Sequence, residues 1–422
     1  MLNPSHPPDD ARRAVVTGCG VITAHGCGWA VNLDGFRNGR PAFRPITLFD
    51  TSRQRVRIGG QADVPDARDL PAGRLHPRQR ARLDRPTRML ICAGAEALAM
   101  AGLADGTVAP WVLGTSAGAM AIGEQYYRHA VGNPGCHRGQ AERVHGYQPQ
   151  VQAARAAAAL GTHGPATLIA NACASGANAI GHAFHLVRHG GAGLVLAGGY
   201  DALSLMVFAG FDSLQALSAG PPRPFDLERD GLALGEGAAV VVVESLAHAR
   251  GRGAGHRVLG EIAGYGTCLD VHHLTQPGPD GAAALRAMRE ALRTAGITAD
   301  EIDYLNANGT GTPLNDAAEA AALAALAGAA APRLSASSTK SSIGHLLGGA
   351  GAVEVAVCLM AMKESFLPPT TTVRTPDPAV AFDLVREPRA KRLRHVLTNS
   401  FGFGGATASL ALRAPDAARP SP

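Results

Sequence analysis

The sequence predicts an α/β protein built as two similar halves. Three observations lead there. Short apolar runs that read as buried strands alternate with stretches of helical spacing. The alternation breaks at a basic, glycine-rich segment and starts again near residue 255. The chain, 422 residues with 46% hydrophobic and 17% charged, is also too long for one simple layer. The halves are expected at 13–254 and 255–414, between loose, proline-rich tails at 1–12 and 415–422. No residue-by-residue repeat relates them.

In order along the chain, "RRAVVTGCGVIT" reads as a strand closing on a glycine turn. "RPTRMLICAGAEALAMAGL" has Leu90, Ala93, Ala97 and Met100 on or near one helical face and ends at a glycine stop. "PWVLGTSAG" and "ATLIANACASG" are apolar strands ending in small-residue turns, "GANAIGHAFHLVRHGG" is a helix and "GLVLAGG" a buried strand. "GAAVVVVESLAHARGRG" is a strand, a short helix and the break. "HRVLGEIAGYGTCLD" then resembles the opening strand, and the pattern runs on to "HVLTNSFGFGGATASLALR".

Composition narrows the function. No run of about 18 uncharged apolar residues could span a bilayer, and the start "MLNPSHPPDDARR" lacks the apolar stretch of a secretory signal. A cytoplasmic protein with no membrane partner is expected. Seven scattered cysteines with no CxxC pair argue against a disulfide framework or zinc ribbon, and no cluster has metal-ligand spacing. A net charge of +5 does not imply nucleic acid. "RLHPRQRARLDRPTR" is either a solvated helix start or a docking patch for an acidic partner. "TGCGVIT" lacks the third glycine and the acidic residue of a dinucleotide site.

Three stretches carry chemistry. "LIANACASGANAIGHAF" puts Cys173 between a strand and a helix, where backbone N–H groups and the helix dipole stabilise a thiolate and the turn exposes the sulfur. The alternative is a buried structural cysteine. "SASSTKSSIGHLLGGAGAVEVAV" sets Lys340 and His345 on a polar turn, able to move a proton or bind an oxyanion. "NSFGFGGATASL", with Gly404, is a loop whose backbone can approach a substrate closely. The small residues of "GTSAGAM", Gly114 to Met120, are expected to line a pocket.

Together with "FDSLQALS", "RPFDLERDGLALGEGAAVVVVE" and "NGTGTPLND", these stretches resemble the β-ketoacyl-acyl-carrier-protein synthases, the ketosynthase branch of the thiolase-fold condensing enzymes, over nearly the whole chain. The resemblance implies a thiolase-like, five-layered αβαβα fold of two pseudo-symmetric halves. It also implies a homodimer, or a heterodimer with another ketosynthase-like chain. No cofactor of its own is implied; the phosphopantetheine arm of an acyl carrier protein tethers the substrate. Cys173 would take the acyl group and condense it with malonyl-carrier in fatty acid or polyketide biosynthesis. The N–H groups of Cys173 and Phe401 would form the oxyanion hole, and Phe401 would be the gating aromatic. His345 would stabilise the enolate, with Lys340 and Glu354 as a supporting charged pair. Thr310 and Thr312 would bond the pantetheine arm, and Arg78 and Arg82 would meet the acidic carrier.

One position departs from the pattern: Asn308 stands where the family has histidine. Asparagine keeps an N–H donor of similar reach but has no acid–base capacity. Loss of one oxyanion donor costs about 2.7–4 kcal/mol, and acid–base help is worth roughly 10²–10⁴-fold. The sequence therefore also allows a non-elongating ketosynthase that only transfers or gates acyl groups. A non-catalytic partner like a chain-length factor is the third reading, although such chains usually replace the nucleophile and Cys173 is present.

Overall fold

The computed structural model describes residues 10–415. The expected tails fall outside the described residues except for Asp10–Arg12 and Pro415. Asp10–Arg12 are not loose: they form one 3-10 turn, with Asp10 paired to Arg250.

The first half contributes β1 (Ala14–Thr23), β2 (Trp111–Gly114), β3 (Ala166–Ile169), β4 (Leu194–Asp201) and β5 (Gly237–Ser245). The second contributes β6 (Gly260–Leu269), β7 (Tyr304–Asn306), β8 (Ser335–Ser337), β9 (His395–Phe401) and β10 (Ala406–Arg413). Their sheet orders are β3-β2-β4-β5-β1 and β8-β7-β9-β10-β6. In each half the second strand runs parallel to the third and fourth, while the fifth is antiparallel to the fourth and first. The halves therefore share one topology. They join where Ala14, Val15 and Val16 of β1 pair with Ile262, Glu261 and Gly260 of β6.

Helices complete five layers. α1 (Arg85–Ala101) and α2 (Pro149–Leu160) belong to the first half's outer layer, with α1 packed on β1 and β5. α4 (Ala282–Ala295), packed on β6 and β10, and α5 (Pro313–Ala327), against α4, belong to that of the second. Between the sheets lie α3 (Ser175–Arg188) and α6 (Ala350–Glu364), packed on each other. α6 is buried from Ala350 to Met362, which its small and apolar residues permit on every side.

The sequence reading placed a glycine turn at the end of β1; the strand instead runs through Gly18 and Gly20 to Thr23. A Cβ on these glycines would sit 2.1 Å from Ala97 O and 2.0 Å from Ala93 O of α1. Gly264 and Gly266 of β6 meet Ala291 O and Ala287 O of α4 at 2.1 Å in the same way. Glycine inside a strand here marks close approach of a helix backbone, not chain reversal.

Candidate active site

The first half supplies the sharp strand-to-helix turn that carries Cys173. After β3 the chain turns sharply at Ala172, whose φ of 57° is uncommon for a residue with a side chain. A 3-10 turn over Ala172–Ala174 then leads directly into α3. Ser175 fixes the turn: its hydroxyl donates to Ala172 O at 2.6 Å and accepts the Asn171 N–H at 2.9 Å. Cys173 is only 8% exposed and packs with Ile46, Phe208, Leu217 and Leu347. It nonetheless lines a cavity of about 390 Å³ shared with Asn308, His345, Thr310, Thr312 and Phe401. The fold thus brings the thiol, the amide and the imidazole together from three separate loops.

The thiol's electrostatics differ from the expectation. Burial pushes the Cys173 pKa up to about 12; the charge of Lys340 opposes this, Asp201 adds to it, and N–H groups of Phe403 and Cys173 oppose it more weakly. Desolvation outweighs Lys340 and the backbone N–H groups, which favours the protonated thiol over the expected thiolate. His345 is held well below the usual imidazole range, first by burial and then by Lys340. It is neutral, with one nitrogen able to accept a proton and the other to donate; Nδ1 is buried without a partner.

Asn308 is held at three points. Its Oδ1 accepts the Phe401 N–H at 3.1 Å and Lys340 Nζ at 3.4 Å, while its Nδ2 donates to Asn315 Oδ1 at 2.9 Å. Lys340 also forms a buried ion pair with Glu354, whose other oxygen accepts the Ser400 hydroxyl at 3.3 Å. The Asn308 loop is anchored from below. Glu319 accepts the N–H groups of Asn308 and Gly309 at 2.9 and 2.8 Å, and Asp316 accepts that of Thr310 at 2.9 Å. Burial raises the Glu319 carboxyl to about 7, against hydrogen bonds from Asn399, Asn308 and Gly309.

Several sequence expectations need correction. The Phe401 N–H is engaged by Asn308, and the N–H that faces the Cys173 sulfur is that of Phe403. Phe403 is also the more exposed aromatic at the cavity, with its ring 5.7 Å from that of Phe211. Gly404 does not line the cavity, although Gly402, Phe403 and Gly405 do; its φ is 79° and its N–H donates to Leu274 O at 2.7 Å. "GTSAGAM" does not line it either. Thr115 donates its hydroxyl, and Ser116, Ala117 and Gly118 their N–H groups, to the buried carboxylate of Asp201. Only Ala117 and Met120 reach the apolar cluster around Cys173.

Thr310 and Thr312 do line the cavity, with hydroxyls 2.8 Å apart. In the arginine stretch, Arg80 binds the carbonyls of Ala67 and Leu70, Arg85 pairs with Glu236 and Arg88 donates to Pro65 O. Arg78 and Arg82 remain exposed, Arg82 at 3.8 Å from Glu142. Sequence reading missed Asn315, Glu319 and Phe403. The polar run "PLND" was the available signal for Asn315; nothing in the sequence distinguished Phe403 from Phe401.

With this geometry in place, the comparisons with known proteins agree. The family profile described as "Beta-ketoacyl synthase, N-terminal domain" matches residues 11–249, and its C-terminal counterpart matches 259–374. The putative polyketide beta-ketoacyl synthase 1 of Streptomyces cyaneus is 38% identical over 421 residues, covering 96% of this chain and 98% of that protein. A solved ishigamide ketosynthase/chain length factor superposes with a TM-score of 0.88 at 32% identity, covering 96% and 99% of the two chains. A type II polyketide synthase acyl-carrier protein in complex with its ketosynthase bound to the hexaketide matches with a TM-score of 0.84 at 26% identity, covering 96% and 100%. The chain belongs to the β-ketoacyl synthase family of condensing enzymes.

Proposed function

We propose that this chain takes an acyl group from the phosphopantetheine arm of an acyl carrier protein onto Cys173. It then condenses that group with malonyl-carrier in polyketide or fatty acid biosynthesis. The observation that carries this reading is the single cavity joining Cys173, His345 and Asn308. In loading, the sulfur displaces the pantetheine thiol, and the Cys173 proton ends on the departing carrier thiol. His345, neutral and beside Cys173 in the cavity, relays it, although burial makes its imidazole a weaker base than usual. The N–H groups of Cys173 and Phe403 bind the developing oxyanion.

In condensation, malonyl-carrier loses carbon dioxide, the α-carbon of the enolate attacks the acyl-cysteine, and the C–S bond breaks to release a thiolate that takes one proton from water. His345 and Asn308 donate to the enolate oxygen. Lys340 and Glu354 hold this region in place. Thr310 and Thr312 bond the pantetheine arm, and Arg78 and Arg82 meet the acidic carrier. Residues 13–254 carry the nucleophile and 255–414 the Asn308 and His345 loops. A cytoplasmic dimer, with a second copy or a ketosynthase-like partner, is the expected setting. No helix among the described residues is long and apolar enough to cross a membrane.

A second reading, transfer without elongation, is favoured by one observation: Asn308 can neither give nor take a proton. Incubation with acyl-carrier, then malonyl-carrier, separates the readings when Cys173 acylation, carbon dioxide and chain extension are scored independently. A Cys173 that is never acylated leaves only a non-catalytic partner.

A further inference from the structure

We propose that Asn315 is a positioning residue for Asn308, holding that amide so that its one remaining N–H is offered to the thioester oxygen of the extender. The inference rests on the condensing reading above. An asparagine amide has four hydrogen-bonding positions: two acceptor sites on oxygen and two N–H donors. At Asn308 the oxygen is filled by the Phe401 N–H and Lys340, and one N–H is taken by Asn315 Oδ1 at 2.9 Å. Among the described residues, only the second N–H has no partner, and Asn308 lines the cavity beside Cys173 and His345. The protein therefore satisfies every position of the amide except one donor.

The orientation is set from outside the amide. Asp316 accepts N–H groups from Phe225 at 2.8 Å and Thr310 at 2.9 Å, which fixes its carboxylate. Asn315 Nδ2 donates to that carboxylate at 3.0 Å, so its oxygen must face Asn308. Reversing the Asn308 amide would then set donors against Lys340 and Phe401 and an acceptor against Asn315. Donors run in one sense from the Lys340 ammonium through Asn308 and Asn315 to Asp316, an arrangement in which each bond polarises the next. A donor fixed before the reaction needs no reorganisation when charge develops.

The test is a double-mutant cycle on the full-length chain with Asn315→Ala, Asn308→Ala and the double variant. Carbon dioxide release from malonyl-carrier and acylation of Cys173 are measured in parallel. Removing one oxyanion donor costs about 10²–10³-fold. Asn315→Ala should lower release at least tenfold more than it lowers acylation, and the double variant should release no more slowly than Asn308→Ala. If Asn315→Ala loses its cooperative thermal transition, Asn315→Ser replaces it, keeping a hydroxyl for Asp316 but falling short of Asn308. Equal losses in the two measurements, additive losses in the double variant, or release that is unchanged or absent throughout would overturn the inference. A wild-type chain whose Cys173 takes no acyl group overturns the functional reading instead.

Discussion

After β2 the chain wraps Thr115 to Gly118 around the carboxylate of Asp201; after β7 it wraps Asn308 to Gly311 around those of Glu319 and Asp316. Both loops are short, rich in glycine and threonine, and follow the second strand of a half. Both solve one problem: a tight turn at the end of a buried strand leaves N–H groups without partners, and a buried carboxylate accepts several at once. They differ in what is left over. The first loop closes on itself and joins the core, while the second presents Asn308, Thr310 and Thr312 to the cavity. The loops after the third strands differ similarly. One enters α3 just beyond Cys173; the other adds residues 338–349, with Lys340 and His345, before α6. The scaffold is shared, and the chemistry depends on which loop opens.

Four experiments would sharpen or break this contrast. Cys173→Ala should abolish acyl loading, read by intact mass after incubation with acyl-carrier; an adduct at any other residue would move the nucleophile elsewhere. Asp201→Ala should strand the N–H groups of Ser116, Ala117, Gly118 and Gly348, at a cost on the order of 4 kcal/mol of stability in denaturant titration. A loss below about 1 kcal/mol would show that the first loop does not depend on its anion.

Asn308→His should raise carbon dioxide release from malonyl-carrier several-fold by restoring acid–base capacity. An unchanged or slower rate would mean that the second loop is tuned to its amide. The remaining test concerns pH. A thiol raised to about 12 is protonated throughout the neutral range, so alkylation of Cys173 by iodoacetamide should climb about tenfold per pH unit from 7 to 10. A plateau near pH 8.5 would show an ordinary, solvated thiol.

Much of this was legible in the sequence because it depends on local order. The order strand, small-residue turn, helix around Cys173 is what the structure has, and His345 lines the same cavity. The misreadings have a common physical source. Phe401 and Phe403 sit in the same glycine-rich run, and which N–H meets the sulfur is decided where β9 ends, at Phe401. Likewise Gly18 and Gly20 look like turn residues until a helix backbone is seen 2.0–2.1 Å from where a Cβ would stand. The thiol's raised pKa could not be read either, because its burial depends on the fold gathering an apolar cluster that includes Phe208, Leu217 and Leu347, distant in the chain.

Gly402 ties the glycine-rich run to the turn at Cys173. A methyl group there would lie 2.9 Å from the backbone nitrogen of Cys173 and 3.2 Å from the Ala172 methyl. The glycine-rich run and the turn that carries Cys173 are therefore in close backbone contact. A side chain at Gly402 would press on the turn that carries Cys173, so a change there alters the placement of the thiol together with the run that borders the cavity.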